Sequence, residues 1–253
     1  VHEQERPRPV APATVTLTAP AKLTVSLRIV GVRDDGYHLV DAEMVTLDLA
    51  DTVEIGPGDG LEVRFAEPAS ARAGLDVGDH EDNLVTKALR LVDRRAHIRL
   101  TKRIPAGAGL GGGSADAAAV LRWAGMHDPV RAAGLGADVA FCLVGGRAHV
   151  RGIGEQVDVL EPVERTFTLL IPPFGCSTVE VYRAWDRLGG PSGEYGNDLE
   201  PAALTVEPRL ASWRDRLHDA TGIRPRLAGS GSTWFVEGAF PGDGRLVARS
   251  PGA

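Results

Sequence analysis

Residues 104–120 read IPAGAGLGGGSADAAAV, and no other stretch constrains the chain so tightly. Five glycines, Gly107, Gly109, Gly111, Gly112 and Gly113, crowd a loop that runs straight into an alanine-rich helix former. Glycine allows positive φ and removes the Cβ atoms that would hold a ligand away from the peptide planes. The first amides of the following helix have no intrahelical partner and point outward with partial positive charge. A flexible cradle opening onto a helix N-terminus is a phosphate site in physical terms. Ser114 stands where it can cap the helix or reach a metal-bound phosphate.

The loop fits neither of the best-known phosphate motifs. A Walker A loop needs a lysine before its Ser/Thr, and Gly113 precedes Ser114 directly. The glycine spacing and the position in the chain also miss the dinucleotide fingerprint. A net charge of −6 argues against a nucleic-acid surface, which would need clustered positive charge. An anionic nucleotide must then be held by local donors. No apolar run approaches the ~20 residues of a membrane span, and Val1–Pro12 is proline-rich and polar rather than signal-like. Cys142 and Cys176 cannot build a disulfide framework, so a reducing cytoplasm is expected. Both lie among apolar neighbours and are expected to be free, non-catalytic thiols. Lysine occurs only at positions 22, 87 and 102. Lys22 and Lys102 fall in motif-like segments, whereas Lys87 reads as a solvated helix residue.

Along the chain, alternation over Val15–Val30 predicts a half-buried strand. Leu23, Val25, Leu27 and Ile29 share one face, and Lys22, Thr24, Ser26 and Arg28 the other. A turn follows at Gly31–Gly36, then β-like runs at Met44–Leu49, Thr52–Ile55 and Leu61–Phe65. Asp82-Asn83 caps a helix reaching about Asp93, and His97–Thr101 is a strand delivering the chain to the glycine loop. A helix over Ala115–Trp123, alternation over Arg147–Val159, a strand at Phe167–Ile171 and helices at Thr178–Leu188 and Pro208–Ala220 complete the pattern. Strands and helices mix without strict alternation, which predicts an α+β chain with two sub-domains. Asp138 lies beside the apolar run Val139–Leu143, where a carboxylate is costly unless paired. Lys22 is its natural partner.

Five separated segments, in order, resemble the motifs of the GHMP kinases, small-molecule ATP-dependent kinases, and among them most closely the 4-diphosphocytidyl-2-C-methyl-D-erythritol kinases. They are Pro20-Ala21-Lys22-Leu23, Gly36-Tyr37-His38, the glycine loop, Gly136-Ala137-Asp138-Val139 and Ala228-Gly229-Ser230-Gly231. Asp82-Asn83-Leu84, Gly152–Glu155, Ser177-Thr178 with Tyr182, and Asn197–Glu200 add smaller matches. The resemblance implies a ribosomal protein S5 domain 2-like, ATP-binding part over 1–160 and a ferredoxin-like part over 161–253. It implies Lys22 and Asp138 as the catalytic pair. Asn83, Lys102, Pro105, Gly107, Gly109, Leu110, Gly111, Gly112, Gly113 and Ser114 would bind ATP, with Ser114 also on Mg²⁺. Thr24, Tyr37, His38, Thr178, Tyr182, Gly229, Ser230 and Gly231 would bind a cytidine diphosphate-linked methylerythritol. The implied protein is a cytoplasmic monomer or weak homodimer without nucleic-acid or membrane partners. A GHMP kinase for mevalonate, homoserine or a sugar is the nearer alternative, and a non-catalytic nucleotide sensor of the same fold the remoter one.

Two positions depart from the pattern. Thr24 stands where the family usually has asparagine, and Ser232 replaces a common proline, which is expected to loosen that turn. Three connections are also shorter than such folds usually carry. They lead to the expectation of absent segments, with breaks in the chain near 95–97, 124–135 and 238–245.

Overall fold

In the computed structural model, residues 14–66 and 82–252 are described; the N-terminal stretch Val1–Pro12 lies outside them. The chain begins with two very long antiparallel strands, β1 (Val15–Val32) and β2 (His38–Gly56), paired along almost their whole length. The far edge of β2 carries β4 (His97–Lys102) at one end and β5 (Arg147–Gly152) at the other. β3 (Gly60–Phe65) lies parallel to β4, and β6 (Gln156–Val159) closes the other edge against β5. A second, antiparallel sheet has the order β10 (Arg245–Ser250), β7 (Arg165–Leu170), β9 (Trp234–Glu237), β8 (Arg226–Leu227). The α+β class expected from the sequence is the class observed.

Helices α1 (Leu84–Leu91), α2 (Gly112–Trp123), α3 (Pro129–Ala133) and α4 (Ala137–Val144) accompany the first sheet. α2 packs on α1, α4, β1 and β2, and residues 115–121 are buried on every side of it. That burial accounts for the alanines, because a helix enclosed all round must be apolar all round and small enough for its neighbours to close in. Helices α5 (Thr178–Arg187), α6 (Glu200–Val206) and α7 (Leu210–Thr221) accompany the second sheet. The two sheets share one core, in which Ala21, Leu23, Val25, Val45 and Leu47 meet Phe167, Leu169, Phe235 and Ala248.

Three readings change. The polar face of β1 is buried at its Lys22–Thr24 end, where the two residues are 4% and 2% exposed, because the glycine loop and the Ala228–Gly231 turn cover it there. A register shift between Thr24 and Ser26 also breaks the alternation, so Leu27 leaves the face of Leu23 and Val25 and joins Lys22 and Thr24 on one cleft wall. Such a bulge reverses side-chain parity beyond it. The expected breaks are absent, since hydrogen bonds close each short connection. The N–H of Arg94 donates to Leu89 O at 3.0 Å. Asp128 caps α3 through the amides of Val130 (2.9 Å) and Arg131 (3.2 Å). The amides of Gly238 and Phe240 donate to Thr166 O (2.8 Å) and Thr168 Oγ1 (2.9 Å).

Candidate active site

Two clefts flank the glycine loop. The first, of about 320 Å³, is walled by the loop from Ile104 to Gly113, by the start of α2 and by Asp82–Leu84. Every residue assigned above to ATP lines it. Gly109 and Gly111 show why the loop must be glycine: both have positive φ (77° and 68°). A Cβ on Gly109 would sit 2.6 Å from Gly231 O, and one on Gly111 would sit 2.8 Å from Lys22 Cγ. α2 has no side-chain cap, and its first intrahelical acceptor bond starts at the Ala115 amide. The amides of Gly112, Gly113 and Ser114 therefore face the cleft end of the helix without intrahelical acceptors.

Lys102, expected to bind ATP, lines this cleft. Its ammonium is buried between the carboxylates of Asp51 and Asp116. Burial alone would lower its pKa, but the two aspartates outweigh burial and raise it. Burial first, with the charge of Asp51 adding to it and Lys102 opposing, pushes the Asp116 carboxyl up to about 7, and Asp116 Oδ1 has no hydrogen-bond partner among the described residues. Asp51 also accepts the amides of Arg103 and Ile104. The triad thus ties the loop entrance on β4 and the exit on α2 to the end of β2. Asn83 caps α1 through the Val85 amide at 2.9 Å.

The second cleft, of about 830 Å³, lies between β1, β2 and the start of α4 on one side and α5 with the Gly229–Ser230 turn on the other. Lys22, Thr24, Tyr37, His38, Asp138, Thr178, Tyr182, Gly229 and Ser230 line it. At its floor Lys22 Nζ lies 3.1 Å from Asp138 Oδ2 and donates to Thr24 Oγ1 at 3.0 Å. The Lys22 amide donates to Leu110 O at 3.0 Å, which fastens β1 to the glycine loop. Asp138 occupies the first turn of α4, where the helix dipole favours a carboxylate. The substituted Thr24 keeps a polar contact with the lysine. At the outer end His38 Nε2 is 2.7 Å from Asp186 Oδ1, and its ring lies 4.8 Å from that of Tyr182. Burial, and then the charge of Asp138, hold the Tyr182 phenol above its usual pKa. Tyr37 is 59% exposed at the rim. Thr178 Oγ1 meets Ser230 Oγ at 2.8 Å.

Gly231 is the exception among the expected substrate contacts, since it does not line the cleft and backs the glycine loop at Gly109 instead. The turn expected to be loosened at Ser232 is pinned, with Thr233 Oγ1 donating to Ala108 O at 2.7 Å and Ser232 fully buried. Sequence reasoning missed Asp186, Leu27 and the Asp51–Asp116 pair. Gly109 and Ser114 line both clefts, so the phosphate cradle opens onto the Lys22–Asp138 pair.

Residues 83–146 match the GHMP kinases N terminal domain. The chain is 39% identical over 236 residues to 4-diphosphocytidyl-2-C-methyl-D-erythritol kinase of Paracoccus denitrificans, covering 86% of this chain and 84% of the relative. The chain belongs to this kinase family, within the GHMP kinases. The Ruegeria pomeroyi family member is 35% identical, with 89% and 88% covered. A crystal structure of 4-(cytidine 5'-diphospho)-2C-methyl-D-erythritol kinase superposes with a TM-score of 0.69 at 29% identity, covering 94% of this chain and all of the other. Homoserine kinase from Cytophaga hutchinsonii, at 20% identity and a TM-score of 0.57, shares the fold (89% of this chain, 85% of that one). GHMP kinase membership implies ATP as the phosphoryl donor. No helix of the described residues is long and apolar enough to cross a membrane.

Proposed function

We propose that this chain transfers the γ-phosphoryl group of ATP to the 2-hydroxyl of 4-diphosphocytidyl-2-C-methyl-D-erythritol, leaving ADP. The observation that carries this reading is the junction of the two clefts at Gly109 and Ser114, beside a lysine–aspartate pair 3.1 Å apart. Phosphoryl transfer needs positioning and charge neutralisation more than covalent help, and the residues present supply both. The amides of Gly112–Ser114 and the Cβ-free loop fit the phosphates of a nucleotide. Asp138 takes the proton of the acceptor hydroxyl as general base. Lys22 orients Asp138, and its charge meets the negative charge that builds on the transferred group. Thr24 fixes the lysine in turn.

Mg²⁺ bound to the nucleotide would neutralise phosphate charge. Ser114, which lines both clefts at the start of α2, is the residue whose Oγ would hold it. Tyr37, His38, Thr178 and Tyr182 form the cytidine end of the acceptor cleft, with Gly229 and Ser230 nearer the transfer point. In this reading 1–160 is the ATP-binding part and 161–253 completes the acceptor side, in a soluble cytoplasmic enzyme acting as a monomer or weak homodimer. A coupled ADP-release assay tests the substrate with three acceptors. Turnover is expected with the cytidine compound and not with mevalonate or homoserine. Turnover with either of those alone identifies a different GHMP kinase, and none with any acceptor points to a nucleotide sensor.

A further inference from the structure

The pairing of His38 with Asp186 carries a consequence for base selection. Thr178, Tyr182 and Asp186 recur every four residues on α5 and share one face of it. All three line the acceptor cleft. The His38 ring is held by Tyr182, by Trp185 edge-on at 5.3 Å, and by Asp186, whose Oδ1 lies 2.7 Å from Nε2. The His38 side chain is 9% exposed and that of Asp186 51%. A hydrogen-bonded pair so open to water contributes little to stability, so its effect lies in the orientation and tautomer of the ring.

We propose that Asp186 sets the tautomer of His38 and thereby makes the pocket selective for cytosine over uracil. The inference rests on the acceptor cleft being the cytidine pocket. A carboxylate only accepts hydrogen bonds, so Asp186 requires the proton on Nε2. The neutral ring then carries a lone pair on Nδ1, the nitrogen left free of hydrogen bonds among the described residues. Cytosine presents an amino donor at its 4-position, whereas uracil presents a carbonyl acceptor there. An acceptor at Nδ1 pairs with the first and sets lone pair against lone pair with the second. Asp186 touches the base only through His38 and is a positioning residue.

The test is Asp186→Asn, which keeps the side chain's size but can either accept from Nε2–H or donate to an unprotonated Nε2. The preference for the cytidine substrate over its uridine analogue, as a ratio of kcat/KM, should fall about tenfold or more. The KM for ATP should stay at its original value. ¹⁵N NMR of the His38 ring should show the proton on Nε2 and an unprotonated Nδ1 in the original protein, and a mixture of tautomers in the variant. Full discrimination retained by the variant, or a proton on Nδ1 in the original protein, overturns the inference. If the original protein turns over neither substrate, the proposed function falls and base selectivity with it. The ring spectrum still judges the Asp186 pairing by itself.

Discussion

At the scale of single residues, three side chains carry the proposed division between chemistry and recognition. Lys22 and Asp138 sit at the cleft floor, and His38 sits at the outer end. Asp138→Asn should fold and bind both ligands but turn over about 10²–10⁴-fold more slowly, the usual contribution of a positioned base. His38→Ala should weaken binding of the cytidine substrate far more than that of ATP. Isothermal titration with each ligand checks this, and equal losses would move His38 out of the pocket. The thiols lie at the opposite extreme. Burial, and then the charge of Asp138, push Cys142 up to about 12, and burial pushes Cys176 up to about 11. A thiolate is the reactive form, so neither should be alkylated quickly by iodoacetamide at pH 8 in the folded protein, which intact mass would show. Most catalytic candidates were legible in the sequence because their motifs are contiguous and their chemistry forces a partner, as with Asp138 beside an apolar run. Asp186 was not legible. It is a half-exposed aspartate on a polar helix, and only the packing of α5 against the start of β2 gives it a role.

At the scale of elements, the glycine loop is defined by what lies behind it. A methyl group on Gly109 would meet the carbonyl oxygens of Gly231 and Ala228, at 2.6 and 2.7 Å, and φ of 77° is strained for any other residue. Gly109→Ala should therefore lower stability by more than the ~1–2 kcal/mol of the left-handed conformation alone and should abolish measurable ATP binding. Gly113→Ala is the contrast. Among the described residues its Cβ would meet only Leu84 Cδ1, at 3.7 Å, so thermal melting should show the original stability. The loop's free amides were readable from composition, since glycines ahead of a helix former leave them without partners. Its support was not. Asp51 lies far away in sequence, and nothing in local pattern shows that it closes a triad with Lys102 and Asp116. The short connections misled for a related reason, because a capping aspartate or a single turn bond completes them without the residues that longer loops use.

At the scale of the whole molecule, the acceptor cleft exists only while the two sheets stay together. Phe167 and Phe235 pack edge-to-face at 5.9 Å in the core that Leu23 and Val45 share. Phe167→Ala should cost about 3–5 kcal/mol. Because β1 contributes to both the core and the site, urea unfolding followed by circular dichroism and by tryptophan fluorescence should stay coincident; separate transitions would show that the sheets unfold independently. The α+β class and the order of motifs were legible along the chain, whereas the switch of Leu27 to the cleft wall came from a bulge that alternation cannot register. The central claim is that the phosphate cradle and the acceptor cleft meet so that Asp138 can activate the 2-hydroxyl. ³¹P NMR of a reaction with ATP and 4-diphosphocytidyl-2-C-methyl-D-erythritol tests it most directly. The account predicts a new phosphomonoester signal on the methylerythritol, with the cytidine diphosphate resonances retained and the signal lost in Asp138→Asn. A monoester formed equally well by that variant, or phosphate appearing only as free inorganic phosphate, would contradict it.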